Sequence, residues 1–274
     1  MKVLVIAALT SALLALPCQA IVGGQPTNGF QAVGVGVQVT PDWVLTARHV
    51  ALPVGGSYSN GFGSRTVAAR YDAGAGAFPA NDLALLRLAP ANGNVNVPSL
   101  AVAGDLFPNG SFVAPLPVTI TSSKNSALAR GYGFTTVSQF AVQMDPDGPS
   151  PLGPVTVNYL VSRDSSVYVQ GGDSGGGLFL GHVTDSSTLL GLNSSLLSNG
   201  NGGFGSGFIL LAAYRPWIDQ TMRDDLFDTQ KVAWVSAVPE PLPVGMWLLG
   251  GGMLAWRRAR AGRSRPDSSV PGKG

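Results

Sequence analysis

Gly172-Asp173-Ser174-Gly175-Gly176 is the stretch from which the fold can be argued, because its chemistry makes demands on the rest of the chain. A serine flanked by glycines can sit on a sharp turn, where its hydroxyl is exposed and nearby backbone N–H groups converge on one spot. Acyl transfer requires that arrangement. A neutral hydroxyl is a weak nucleophile and needs a base beside it, and the oxyanion that develops needs preorganised donors.

The pentapeptide also satisfies G-x-S-x-G, the nucleophile elbow of α/β-hydrolases, and the order of its partners separates the two readings. An elbow serine is followed by its acid and its histidine. Downstream of Ser174 stands His182, eight residues on and too near to return from a separate loop. The chain's other histidine, His49, lies upstream in Leu45-Thr46-Ala47-Arg48-His49-Val50, at the end of an apolar strand from which a side chain can emerge into a cleft. Taken alone, a histidine in such surroundings is more often structural. A third segment, Asn81-Asp82-Leu83-Ala84-Leu85-Leu86-Arg87-Leu88, changes the balance. Its carboxylate enters a strongly apolar strand, which is costly unless the group accepts hydrogen bonds. Orienting a histidine and stabilising its imidazolium would supply the partner; so would capping a turn at the strand's start.

Outward from these segments the chain reads as short strands. Ala32 to Val39, Trp43 to Thr46, Thr66 to Tyr71 and Leu83 to Leu88 come first, cut by Gly, Pro and Asn. A second series runs through Ala127 to Gln143, Val155 to Val161, Val167 to Gln170, Gly177 to Leu180, Leu189 to Leu192 and Phe208 to Ala212. One helix is expected, over Tyr214 to Met222, and loops over Asp145 to Pro154 and Asn199 to Gly207. With 45% apolar residues, 12% charged ones, 37 glycines and 20 prolines in 274 residues, the composition favours an all-β body over long solvated helices.

Six of the 17 basic residues fall in the last 18 positions, so residues 21–237 hold 10 basic against 13 acidic groups. A slightly acidic body gives no basic face for nucleic acid. No metal-ligating cluster stands out, and the chemistry above needs no cofactor. Residues 1–20 read as a secretory signal peptide: Lys2, an apolar run from Val3 to Leu16, and Ala20 before the cut. The single cysteine, Cys18, lies inside it, so a mature chain starting at Ile21 is expected to lack disulfides.

At the other end, Val238-Pro239-Glu240-Pro241 precedes a mostly apolar stretch from Leu242 to Trp256 and then Arg257-Arg258-Ala259-Arg260. This is a polar hinge, a membrane span of marginal length and a basic stop. The order resembles the PEP-CTERM sorting tail of Gram-negative bacteria. The resemblance implies a transient inner-membrane contact, processing by an exosortase and export to the surface or extracellular matrix.

Six segments in order carry a second resemblance. Ile21-Val22-Gly23-Gly24, Leu45 to Val50, Asp82 to Leu88, Gly131-Tyr132-Gly133, Gly172 to Gly176 and Tyr214 to Ile218 are similar to the trypsin/chymotrypsin family of serine proteases. That likeness implies two six-stranded antiparallel β-barrels followed by a C-terminal helix, and a secreted endopeptidase acting on protein or peptide substrates. It implies a triad of His49 as base, Asp82 as orienting acid and Ser174 as nucleophile. Gly172 and Ser174 would supply the oxyanion hole, and Ser194 would support Asp82. An Ile21 freed by signal peptidase would pair its ammonium with Asp173. Family spacing puts Tyr168 near the floor of the specificity pocket, where trypsin-like enzymes carry an aspartate. Two departures stand out: Arg48 replaces the common small residue before the histidine, and Ser195 the usual tryptophan after Ser194.

The expected organisation is thus a signal peptide over 1–20, an N-terminal barrel over 21–120, and a C-terminal barrel with its helix over 121–237. A sorting segment over 238–260 and a basic disordered tail over 261–274 complete it. Two alternatives remain open at this point: an inactive protease-like adhesion protein, and an esterase.

Overall fold

The structure is a computed structural model describing residues 21–236, apart from 77, 92, 94, 103, 105, 108–110, 113, 124–129, 145–154, 199–201 and 226–229. The expected signal peptide, the loop at 145–154 and the sorting segment lie outside the described residues. All described residues belong to one compact unit, Met1–Ala237.

Alternation along a strand decides where the chain buries itself. After β1 (Gln25–Thr27) come β2 (Val37–Gln38), β3 (Trp43–Ala47), β4 (Ser57–Asn60), β5 (Gly63–Asp72) and β6 (Leu83–Ala89). These last five form an antiparallel sheet in the order β2-β3-β6-β5-β4. Successive side chains point to opposite faces. Accordingly Trp43, Leu45, Leu83 and Leu85 enter one core cluster. Val44, Leu86 and Leu88 enter another with Tyr58 and Val67. Two buried faces explain why Leu83 to Leu88 reads as an almost unbroken apolar run.

The second sheet gathers β7 (Ser99–Ala101), β8 (Leu116–Ser122), β9 (Arg130–Val137), β10 (Gln139–Met144), β11 (Val155–Ser162), β12 (Gly177–Leu180), β13 (Thr188–Ser198), β14 (Phe204–Leu210) and β15 (Trp234–Val235). Its path is β1-β9-β8-β12-β13-β14-β11-β10, with β7 pairing in parallel to β13 and β15. The described residues thus form a mostly β protein of two largely antiparallel sheets with one C-terminal helix, in keeping with the trypsin-like double-barrel fold.

Several expected elements differ in detail. Among the described residues the sheets hold five and ten strands rather than six each. Ala32 to Val39 is no single strand: it holds β2 and an isolated Val33–Val37 bridge. The second sheet is larger because β1 and β7, early in the chain, join it. Val167 to Gln170 is likewise no strand, Tyr168 meeting Val22 in an isolated bridge. The loop expected over Asn199 to Gly207 ends sooner, since β14 starts at Phe204 and uses Gly205 and Gly207 as strand residues. A Cβ on Gly205 would lie 2.4 Å from the Ser162 carbonyl, so that glycine serves close packing.

The helix α1 (Arg215–Asp224) starts with Pro216 in its first turn and buries Ile218 and Met222, one helical turn apart. Asp225, just beyond it, accepts from Arg87 Nε at 2.8 Å and from the Tyr71 hydroxyl at 2.9 Å, tying the helix end to β5 and β6. Among the described residues, no helix is long and apolar enough to cross a membrane.

Candidate active site

Strand register brings the first two residues together. In the β3–β6 pair Ala47 lies opposite Leu83, so the residues that follow β3 meet the residue that precedes β6. Arg48 N–H donates to the Asp82 carbonyl at 3.1 Å, and His49 N–H donates to Asp82 Oδ1 at 3.0 Å. Asn81, held at φ 46°, makes the left-handed turn into the strand, a conformation asparagine tolerates better than most residues.

Asp82 is 1% exposed, yet its carboxylate is well supplied. His49 Nδ1 lies 3.0 Å from Oδ1 and 2.9 Å from Oδ2, and the Ser194 hydroxyl donates to Oδ2 at 2.6 Å. An ionised carboxylate only accepts, so Nδ1 carries the proton in this contact and, in the neutral ring, Nε2 holds the lone pair. His49 itself is exposed on a 3-10 turn over Arg48–Val50.

Ser174 arrives from the second sheet on a turn that only glycines can make. Gly172 and Gly175 have φ of 94° and 83°. A Cβ on Gly175 would stand 2.2 Å from the Val35 carbonyl, and one on Gly176 2.1 Å from that of Thr121. Buried Asn193 braces the turn: its Nδ2 donates to the Thr121 and Asp173 carbonyls, its N–H to Gly176, and its carbonyl accepts from Gly175 N–H. In a body without cysteine this polar brace fixes the loop. Asp173 and Gly176 N–H are engaged within the turn, while those of Gly172 and Ser174 hold no backbone acceptor among the described residues.

Among the described residues the Ser174 hydroxyl donates to the Ser194 carbonyl, at 3.4 Å, rather than to the His49 ring. Ser194 therefore touches both halves of the site, Asp82 through its hydroxyl and Ser174 through its carbonyl. Behind it stands Tyr159, whose buried hydroxyl bonds Ser194 Oγ and accepts from Ser195 Oγ at 3.5 Å. Burial pushes that phenol well above its ordinary range. Tyr159, Asn193 and the Arg48 contacts described below carried no sequence signal.

Of the remaining expected residues, Ile21 is fully buried among Val118, Ile120, Leu160 and Leu178, and Val22 N–H donates to the Tyr168 carbonyl at 3.1 Å. Asp173 is fully buried and accepts from Gln170 N–H at 2.8 Å. Tyr168 stacks on Phe204, with centroids 5.3 Å apart.

A histidine–aspartate pair on one sheet, linked through Ser194 to a glycine-bracketed serine on the other, defines a domain of the serine-protease class. Residues 15–218 match the family model described as Trypsin, and the chain belongs to that family. A comparison with curated proteins finds no match.

Proposed function

We propose that this is a secreted serine endopeptidase in which Ser174 attacks, His49 moves the proton and Asp82 orients His49. The observation that carries the reading is the two-oxygen contact of Asp82 with His49 Nδ1, which leaves Nε2 as base. Ser174 Oγ adds to the scissile carbonyl as Nε2 takes its proton, and Asp82 stabilises the imidazolium. The oxyanion is received by Gly172 and Ser174 N–H. The imidazolium then protonates the departing amine, leaving an acyl-serine. Water, activated by the same nitrogen, releases the acid and restores the hydroxyl. Catalytic hydrogen bonds are often long or poorly aligned in a free enzyme and tighten on substrate binding, and the reading requires Ser174 Oγ to turn from the Ser194 carbonyl to His49 Nε2.

Labelling by a fluorophosphonate tests this: the wild type should label, and Ser174→Ala should lose both label and peptide hydrolysis, on the order of 10⁶-fold in kcat. An unlabelled wild type would favour the adhesion protein, and ester cleavage without peptide cleavage the esterase.

Specificity follows from what surrounds Tyr168. The Ser206 hydroxyl is buried and accepts from Val169 N–H at 3.0 Å, and Asp164, four residues before Tyr168 in the sequence, holds Ser166 and Thr135. By family spacing Tyr168 stands where trypsin-like enzymes carry an aspartate, so cleavage after Lys or Arg is not supported.

Maturation is proposed to run through both ends. Signal peptidase would free Ile21 directly, its ammonium pairing with Asp173. An α-amine titrates near ~8, so activity should decline as it is neutralised above that pH. N-terminal sequencing of secreted protein should begin at Ile21. The 238–260 segment would direct the chain, through an exosortase, to the surface or matrix of a Gram-negative bacterium.

A further inference from the structure

Arg48, the residue that departs from the family's small side chain, does more than fill space. Its guanidinium donates to three carbonyls of the segment that leads into Asp82: Gly74 at 2.6 Å, Ala80 at 3.1 Å, and Gly76. That segment carries Phe78, whose ring meets the His49 imidazole nearly edge-on, with centroids 4.8 Å apart and planes at 71°. Phe78 is nevertheless 43% exposed, so burial of its own surface does not account for its position. Asn81 Nδ2 adds a hook on the Ala75 carbonyl at 3.2 Å. From the other side Arg70 donates to the carbonyls of Ala51, at 2.8 Å, and Arg48, at 3.3 Å, fixing the turn that bears His49.

The geometry matters because the His49 side chain is 31% exposed and, among the described residues, is held by Asp82 at Nδ1 alone. An imidazole so placed can swing about its side-chain bonds into water. Phe78 stands against it, and a planar guanidinium with its donors in a rigid fork can keep three carbonyls in one arrangement, as a point charge cannot.

We propose that Arg48 is a positioning residue: by gathering the carbonyls around Phe78 it holds that ring against His49 and keeps the imidazole in its working orientation. The inference rests on His49 being the general base. Its effect should fall on the chemical step, since misorientation of about 1 Å can cost up to ~100-fold in rate while leaving binding largely intact.

The test compares Arg48→Ala, Arg48→Lys, Phe78→Ala and the double variant Arg48→Ala/Phe78→Ala in the full secreted chain. For p-nitrophenyl acetate, kcat should fall about 10- to 100-fold in either alanine variant with KM changed little. The double variant should be no slower than the slower single one, because both act through one contact. Arg48→Lys should recover part of the rate. In the Ser174→Ala background, the His49 Cε1–H resonance should shift in the same direction in Arg48→Ala and Phe78→Ala through loss of the Phe78 ring current, with His182 unmoved. Multiplicative losses in the double variant, or a His49 signal that moves with Phe78→Ala but not with Arg48→Ala, would overturn the proposal. Should Arg48→Ala fail to fold, Arg48→Lys and Phe78→Ala carry the same comparison. The resonance needs no activity, so a wild type that proves inactive refutes the protease reading while this measurement still decides the clamp.

Discussion

Ser194 shows how much one small side chain can organise. Its hydroxyl has a single proton, and Asp82 receives it at 2.6 Å. Tyr159 must then donate to Ser194, and Ser195 to Tyr159, so the chain of hydroxyls runs toward the buried carboxylate. Hydrogen bonds to a charged group are worth roughly 1.5–3 kcal/mol, and neutral ones about 1. Ser194→Ala should therefore lower stability by about 1.5–3 kcal/mol in urea unfolding, and Tyr159→Phe by about 1 kcal/mol. Equal losses from the two variants would contradict the direction of the chain. Ser194 could be read from the sequence, through its motif and family spacing. Tyr159 could not, because one tyrosine in an apolar strand does not reveal what stands across the sheet.

Pairing between elements then turns separate motifs into a site. Ala47 opposite Leu83 is what sets His49 beside Asp82, and a one-residue slip would send every side chain of β3 to the other face. The Ser174 turn depends on the sheets in another way: Gly175 lies against the Val35 carbonyl, so Gly175→Ala combines a clash with a positive φ. We expect that variant to lose fluorophosphonate labelling and to cost at least about 1–3 kcal/mol, read from labelling rate and thermal melts. At the end of α1, Asp225→Ala would leave Arg87 without its 2.8 Å carboxylate in a site where both are largely buried. Breaking such pairs costs about 3–5 kcal/mol, and the lower end is expected because Arg87 retains some contact with water. Urea titration of the variant checks it. The α1 helix itself was legible from Tyr214-Arg215-Pro216-Trp217-Ile218, whereas Asp225 gave no hint of its partners, which come from strands more than 100 residues earlier.

For the molecule as a whole, alkaline pH is the informative stress. Burial raises the phenols of Tyr58, Tyr71, Tyr159 and Tyr214 above the ordinary value. Below pH ~10 these groups are neutral in folded and unfolded chains alike, so the linkage is silent. Above it the unfolded chain releases protons that the folded chain retains, and stability must fall as pH rises. Urea midpoints should decline above pH ~10, with the phenolate absorbance of the buried Tyr58 and Tyr159 appearing together with unfolding. Ionisation of Tyr58 or Tyr159 well before the transition would show that these hydroxyls are reachable by water.

Read alone, the chain already disclosed its β character, the order of the six matching segments and the candidates for acyl-transfer chemistry, because alternation, turn residues and motif spacing are local properties. It also marked Arg48 as unusual without saying why. Which strands share a sheet, how the Ser174 turn is braced without a disulfide, and what Arg48 and Tyr159 touch emerge from the folded chain alone. Those outcomes depend on contacts between residues far apart in the chain, and an isolated segment carries no information about the partner that folding will bring against it.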